Sequence, residues 1–275
     1  MALLAATAAH AQGLEGRLKR VAETRTVNIA YRADAMPFSF ADDKGGIEGF
    51  AIDLCKRVVH SLERQLGVLL KINWVPVTSQ SRFEAVARGR ADMECGSSTI
   101  TLERLKQVDF SSITFVESTG LMVKAAAGLR SISELSGKKI AVVSGTTNER
   151  VINTQLKRRA IDAIVVPFTS RDEALEALES GKADAFASDR LLLIGAVGKA
   201  KDRSALALLA DQLSYEPYGI VLPRGDSALR LAVNTGLSQV YASGEIGDIF
   251  RRWFAGFGPP PAIIEAIYVL GVIPE

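Results

Sequence analysis

The sequence has few of the residues on which metal centres and nucleophilic active sites depend. Its 275 residues include only two histidines and two cysteines. Neither His10 nor His60 belongs to a set with metal-ligand spacing, and no phosphate-binding loop or catalytic triad is visible. The sequence therefore predicts no metal, no cofactor and no enzymatic activity.

An excess of charge is also missing. The 33 Lys and Arg residues nearly balance the 31 Asp and Glu residues. Proteins that bind nucleic acid or an acidic membrane surface normally carry a marked basic excess. Apolar residues make up 48% of the chain, which is typical of a packed globular protein. We expect a monomer with no nucleic-acid partner.

Long apolar runs are absent from the interior of the chain, and the apolar C-terminal stretch 262–273 is too short to cross a bilayer. Residues 1–12 are Ala-rich and contain Ala9-His10-Ala11, which resembles the second half of a secretory signal peptide with an A-x-A cleavage site. The basic n-region is missing, so an ordinary frayed terminus is the alternative. We expect residues 1–11 to be residual signal peptide and the mature protein to be periplasmic.

The two cysteines, Cys55 and Cys95, are an even count in a chain expected to be secreted, which suggests a disulfide. The alternative is a pair of reduced, buried cysteines. A bridge would close a loop of 41 residues, counted inclusively. The chain-entropy model gives it roughly 3–4 kcal/mol of stabilisation.

Strand and helix patterns alternate along the chain and indicate an α/β protein. A short β run at 26–30 precedes apolar residues at helical spacing between 52 and 66, and Gly67 ends that helix. A strand at 69–75, a helix at 79–88 and a strand at 91–95 follow. This order predicts a mainly parallel sheet with helices on both faces.

A second unit of the same kind begins near residue 130. The segments 88–92 (RGRAD) and 180–184 (SGKAD) match, and each lies between a helix and a short strand. The sequence thus predicts two lobes, one of residues 12–123 plus 217–275 and the other of residues 124–216. Two connecting segments would form a hinge.

Taken together, ten short segments resemble the extracellular solute-binding proteins of the polar amino-acid ABC transporter family, and most of all its glutamate/aspartate-binding branch. They span about residues 26–255. They are 36–40 (MPFSF), 47–50 (IEGF) with Asp53, 77–82 (VTSQSR), 94–99 (ECGSST), 101–104 (TLER), 108–111 (VDFS), 143–147 (VSGTT), 178–181 (LESG), Asp189 and 216–219 (EPYG).

The resemblance implies the type II fold of periplasmic binding proteins, with a mainly parallel sheet in each lobe. It also implies a substrate-binding subunit that captures glutamate or aspartate by clamshell closure and delivers it to a membrane permease. Three alternatives stay open at this point: a receptor for a neutral polar amino acid such as glutamine, a periplasmic dehydratase-like enzyme, and a sensor domain of a larger receptor.

The resemblance places five residues at the ligand's α-amino and α-carboxylate groups. It implies that Arg104 binds the α-carboxylate, for which the planar guanidinium is suited. Ser97 and Thr99 would add hydrogen bonds, Asp189 would pair with the ammonium, and Thr146 would lie near the carboxylate. The alternatives are a surface Arg104, an Asp189 paired with its neighbour in sequence, and a Thr146 that only caps a helix.

Extra arginines indicate an acidic side chain on the ligand. The resemblance places Arg32, Arg82 and Ser79 at the side-chain carboxylate. With Arg104 and Asp189 they leave the site a net charge of +2, which favours an anionic ligand. The alternative is that these arginines pair outside the pocket, Arg32 with Asp34, and Arg82 with Glu84 or Asp92.

Two further positions concern the shape of the pocket. Arg171 stands where the branch commonly has histidine, so it either reaches the ligand carboxylate or pairs with Asp172 or Glu173. Phe38 is expected to form an aromatic wall against the aliphatic part of the ligand, with core packing as the alternative.

Overall fold

The computed structural model of the chain describes residues 14–274. The predicted signal segment at 1–11 therefore lies outside the described residues. The strands are β1 (Thr26–Arg32), β2 (Asp34–Ala35), β3 (Ser39–Ala41), β4 (Ile47–Glu48), β5 (Lys71–Val77), β6 (Met93–Cys95), β7 (Val108–Phe110), β8 (Phe115–Glu117), β9 (Thr119–Lys124), β10 (Lys139–Val143), β11 (Ile164–Phe168), β12 (Ala185–Asp189), β13 (Leu206–Leu208), β14 (Glu216–Tyr218) and β15 (Val221–Pro223).

Helices cover the faces of the sheets, with short 3₁₀ turns between them. The α-helices are α1 (Gly16–Thr24), α2 (Phe50–Leu66), α3 (Arg82–Ala87), α4 (Thr147–Arg158), α5 (Arg171–Ser180), α6 (Arg190–Val197), α7 (Ser227–Ala242), α8 (Glu245–Phe254) and α9 (Ala262–Leu270). The 3₁₀ turns are Arg104–Lys106, Ala125–Ala127, Ile132–Glu134, Arg203–Ala205 and Ala255–Phe257. No helix of residues 14–274 is long and apolar enough to span a membrane.

Two five-stranded sheets form the centres of two lobes, as the sequence predicts. The first has the order β5-β1-β6-β15-β7 and the second the order β11-β10-β12-β9-β13. The strands of the βαβ units pair in parallel, while the strands that return from the other lobe, β15 and β9, pair antiparallel. Each sheet is thus parallel at one side and antiparallel at the other.

The predicted lobe boundary at residue 123 is wrong. Strand β9 (Thr119–Lys124) pairs with β12 along its length, so these residues belong to the second sheet. The two connections between the lobes are β8 and β14, which pair with each other as a separate antiparallel ribbon. A short apolar strand looks the same in either sheet, because only its pairing partner shows to which lobe it belongs.

The predicted disulfide is present and joins a helix to the first sheet. Cys55 on α2 and Cys95 on β6 are bonded, with Cα atoms 6.4 Å apart, and both are fully buried. Gly49, with φ of 133°, directly precedes α2; a Cβ there would lie 2.2 Å from the Phe38 carbonyl oxygen. Gly67 ends α2 in the left-handed conformation. The position of α2 is therefore set at both ends and by a covalent bond.

Candidate functional site

The polar residues singled out in the sequence converge on the cleft between the lobes. Strand β1 ends at Arg32 and β12 ends at Asp189, while β6 and β10 run into the loops that carry Thr99 and Thr146. In open α/β sheets, ligands bind at the carboxyl ends of parallel strands. Both sheets present these ends to the same cleft.

Arg104 and Arg82 lie together on the first lobe and share one aromatic ring. The Nη1 atom of Arg104 donates to the Thr99 carbonyl oxygen at 2.8 Å. The guanidinium carbons of Arg104 and Arg82 lie 4.7 and 4.8 Å from the centroid of Phe83. Phe83 was not identified from the sequence; it holds the two cations through cation–π contacts.

Both of these guanidiniums remain charged at neutral pH although they are buried. Burial is the main cause that lowers the pKa of Arg82 to about 10, followed by the charge of Arg104. Burial also lowers the pKa of Arg104 to about 10, followed by the charge of Arg150. The first lobe therefore offers two desolvated cations to an anion in the cleft.

Three hydroxyl residues complete this part of the cleft. Ser79 and Ser97 are buried, and their Oγ atoms have no hydrogen-bond partner among residues 14–274. Thr99 Oγ1 lies 3.3 Å from Thr147 Oγ1 of the second lobe. Polar atoms buried without a partner are rare in folded proteins, so these serines are candidates for ligand contacts.

Thr146 caps a helix, and Thr147, to which no role was assigned from the sequence, faces the cleft. The Thr146 hydroxyl caps α4, because it accepts from Glu149 N at 3.3 Å and donates to the Val143 carbonyl oxygen at 2.7 Å. Its neighbour Thr147 turns its hydroxyl to the opposite lobe. The capping role of Thr146 is thus observed, and its expected contact with a ligand stays a prediction.

Asp189 is buried at the end of β12 and accepts from Asn148 Nδ2 at 3.1 Å. Asn148 also donates to Thr119 Oγ1 at 2.9 Å. The alternative pairing of Asp189 with Arg190 is not formed, because Arg190 Nη1 donates to the carbonyls of Leu209 and Asp211. Burial, and then the negative charge of Glu216, raise the pKa of Asp189 to about 6. A cation bound next to Asp189 would stabilise its ionised form.

Carboxyl groups on the hinge strands lie close to Asp189 and were assigned no role from the sequence. Glu117 on β8 and Glu216 on β14 are paired across the ribbon. Burial, and then the charge of Asp189, raise the pKa of Glu117 to about 7. Burial and these carboxylates also raise the pKa of the Tyr218 hydroxyl. The side of the cleft nearest the hinge is therefore acidic.

Arg32 and Arg171 face each other across the cleft and share one carboxylate. Arg32 Nη2 lies 2.5 Å from Asp34 Oδ1, and Arg171 Nη1 lies 3.5 Å from Asp34 Oδ2. Burial lowers the pKa of Arg32 to about 9, with the charge of Arg171 as the second cause. Arg32 therefore does pair with Asp34, as the alternative prediction had it, yet its side chain is only 2% exposed and remains in the cleft.

The other alternative pairings are not formed. Glu84 pairs with Arg88, and Asp92 pairs with Arg17 and Arg20. On α5, Asp172 pairs with Lys199, and Glu173 accepts from Thr169. Arg82 and Arg171 consequently stay in the cleft, and four buried guanidiniums meet there.

Glu94 is a further buried residue of the site that was not identified as one from the sequence. It lies on β6, and its Oε2 accepts from Ser98 Oγ at 2.7 Å, while its Oε1 has no partner within the described part of the chain. Burial raises the pKa of Glu94, against the opposing effect of Arg82 and Arg32. Glu94 thus lies close enough to Arg82 and Arg32 for their charges to act on its carboxyl group.

The expectation that Phe38 forms a wall of the pocket is wrong. Its side chain is 1% exposed and lies in the core of the first lobe. Its ring contacts those of Phe50, Phe115, Tyr218 and Phe254, with centroids 5.0 to 6.0 Å apart. Period-two alternation does not extend to Phe38, because it precedes β3 in a turn that directs the ring toward α2 and α8.

Within residues 14–274, no three His, Cys, Asp or Glu side chains are grouped as metal ligands.

The model of the family described as bacterial extracellular solute-binding proteins, family 3, matches residues 27–256. The chain is 35% identical over 255 residues to the L-glutamate/L-aspartate-binding protein of Pseudomonas aeruginosa, covering 92% of this chain and 84% of that protein.

A second bacterial relative and a solved structure are also similar to this chain. The chain is 31% identical over 244 residues to the glutamate/aspartate import solute-binding protein of Escherichia coli, covering 88% of this chain and 81% of that protein. Its fold is similar to the solved structure of an ancestral arginine-binding protein bound to arginine. The TM-score is 0.75 at 30% identity, over 83% of this chain and 98% of that one.

Proposed function

The chain belongs to the bacterial extracellular solute-binding proteins, family 3, and is the substrate-binding protein of an amino-acid ABC transporter; we propose that its ligand is an acidic amino acid, glutamate or aspartate. The proposal includes a periplasmic location and delivery of the ligand to a membrane permease. Two findings support the assignment of an acidic ligand. Four guanidiniums are buried in the cleft, and the two bacterial relatives are named as glutamate/aspartate-binding proteins.

The ligand's α-amino and α-carboxylate groups need only part of the site. Arg104, with Ser97 and Thr99, binds the α-carboxylate, and Asp189 binds the ammonium. Charge-assisted hydrogen bonds of this kind are the strongest that side chains make. A few of them in a desolvated cleft give binding of about −8 kcal/mol or tighter, which corresponds to micromolar affinity.

The assignment of an acidic ligand rests on a single observation. Several guanidinium nitrogens in the cleft have no hydrogen-bond partner within residues 14–274. Arg32 Nε and Nη1, Arg82 Nε, and Arg171 Nε and Nη1 are buried and have no hydrogen-bond partner among the described residues. Burying charged donors without acceptors is costly, so a ligand that supplies a second carboxylate gains most. A neutral amide supplies one acceptor oxygen and no negative charge.

Closure of the lobes over the ligand is the proposed mechanism of capture. In the structure, Gln80 of the first lobe donates to the carbonyls of Ser144 and Thr169 of the second, at 3.2 and 3.4 Å. Thr99 and Thr147 also meet across the cleft. The paired strands β8 and β14 join the lobes and form the hinge about which they open.

The test is a calorimetric titration of ligand-stripped mature protein with glutamate, aspartate, glutamine and arginine. Arg104→Ala should weaken the acidic ligands by about 3–5 kcal/mol, because it leaves a buried carboxylate unpaired. Arg32→Ala should reduce the preference for acidic over neutral ligands. The control is Arg88→Ala, which removes a guanidinium that pairs with Glu84 on the surface.

Each outcome of the titration has a definite meaning. If glutamine or arginine binds more tightly than glutamate and aspartate, the acidic assignment is wrong, and the solute-binding function stands. If none of the four amino acids binds to the stripped wild-type protein, the proposed ligand class is wrong as a whole.

A further inference from the structure

Asp34 forms ion pairs with an arginine of each lobe. It lies on β2 of the first lobe and contacts Arg32 of its own lobe at 2.5 Å. Its other oxygen contacts Arg171 of the second lobe, at 3.5 Å from Nη1 and 3.4 Å from the backbone nitrogen. These contacts to Arg171 can form only when the lobes are closed.

The carboxylate of Asp34 is ionised at neutral pH. Burial raises its pKa, but the charges of Arg171 and Arg32 and their hydrogen bonds outweigh burial and lower the pKa to about 2. The other charged groups that act on this pair are Arg82 and Glu94 on the first lobe and Asp189 on the second. Among the acidic residues of positions 14–274, only Asp34 forms ion pairs with both arginines.

Closure brings Arg171 next to Arg32 in a buried space, where two like charges repel strongly. An anion must lie between them if closure is to be favourable. A ligand with a side-chain carboxylate brings that anion with it, whereas a ligand with a neutral side chain does not. Asp34 supplies an anion in either case.

We propose that Asp34 determines how strongly the site prefers a ligand with a negatively charged side chain over one with a neutral side chain. By offsetting one of the two positive charges of the Arg32–Arg171 pair across the cleft, it allows the lobes to close on a neutral side chain and so lowers the preference for an acidic one. The proposal rests on the proposed function, because it concerns selectivity at the same site.

The experiment compares the wild-type protein with Asp34→Asn and Asp172→Asn, by titration with the matched pairs glutamate and glutamine, and aspartate and asparagine. Asn is nearly isosteric with Asp but cannot neutralise the arginines. Asp172 is adjacent to Arg171 but pairs with exposed Lys199, so it is the matched control. We expect Asp34→Asn to raise the ratio of neutral to acidic Kd about tenfold or more, and Asp172→Asn to leave it unchanged.

An unchanged or smaller ratio in Asp34→Asn overturns the proposal. A double-mutant cycle with Arg171→Met makes the test specific, because removal of Arg171 removes the repulsion that Asp34 offsets. In the Arg171→Met background, Asp34→Asn should change the ratio much less. An equal change in both backgrounds also overturns the proposal.

A second measurement does not depend on the identity of the ligand. Small-angle X-ray scattering of ligand-free protein should give a larger radius of gyration for Asp34→Asn than for the wild type and Asp172→Asn. Equal radii contradict the role of Asp34 in closure. A wild-type protein that prefers glutamine would refute the acidic assignment alone, because the shift in ratio and radius is measured relative to wild type.

Discussion

Asp189 is the group whose protonation should control ligand binding in mildly acidic solution. Its pKa of about 6 is set by burial and by Glu216, against the hydrogen bond from Asn148 and the charge of Arg171. A bound ammonium favours the ionised carboxylate. Ligand binding therefore releases a proton from the protonated protein, and affinity falls as the pH falls through 6.

The magnitude follows from the fraction of Asp189 that is ionised. With a pKa of about 6, about one-tenth is ionised at pH 5 and about nine-tenths at pH 7. The Kd for glutamate should therefore be about tenfold higher at pH 5 than at pH 7, which corresponds to about 1.4 kcal/mol. The side chain of free glutamate is mostly ionised over this range.

The assay is calorimetric titration at pH 5, 6, 7 and 8, in two buffers that differ in ionisation enthalpy, which counts the protons released. Below pH 6 the release should approach one proton per ligand. Asn148→Ala removes a hydrogen bond that lowers the pKa of Asp189, so the midpoint should move to higher pH. Glu117→Gln tests the other carboxyl that titrates nearby.

A Kd that is constant from pH 5 to pH 8, or an uptake of protons on binding, would refute the assignment of Asp189 to the ammonium. If the pH dependence disappears in Glu117→Gln, the responsible group is Glu117 rather than Asp189. If Asn148→Ala leaves the midpoint in place, Asp189 is likewise not the titrating group.

Three further predictions concern stability, each measured by urea or thermal unfolding. Replacing Cys55 and Cys95 by Ala should cost roughly 3–4 kcal/mol, from the loop that the bridge closes; a loss below about 1 kcal/mol would contradict the chain-entropy account. Gly49→Ala should cost about 3 kcal/mol or more, because its Cβ would lie 2.2 Å from a backbone oxygen at positive φ; wild-type stability would show that the backbone can shift. Ligand-free protein should lose stability from pH 5 to 7.5, because Asp189 and Glu117 bind protons more tightly folded than unfolded; an increase over this range would show that other groups dominate.

Local features of the sequence were sufficient for the class of fold, and the family resemblance supplied the candidate residues. Period-two and helical patterns, ended by glycines such as Gly67 and Gly181, indicate the alternating elements because each pattern reports the face that a single element buries. Two cysteines in an expected secreted protein pointed to the bridge that the structure contains. The candidate arginines came from the resemblance to a known family, and their ligand-binding roles stay predictions.

Tertiary structure alone decided which distant segments meet. Strand β9 joins the second sheet through its pairing with β12, and Phe38 joins the aromatic core rather than the cleft. Asp34 and Arg171 are 137 positions apart, and their contact depends on closure of one lobe on the other. A sequence pattern records the environment of one element, whereas the pairing of strands and the sharing of a counter-charge are settled only when all elements pack together.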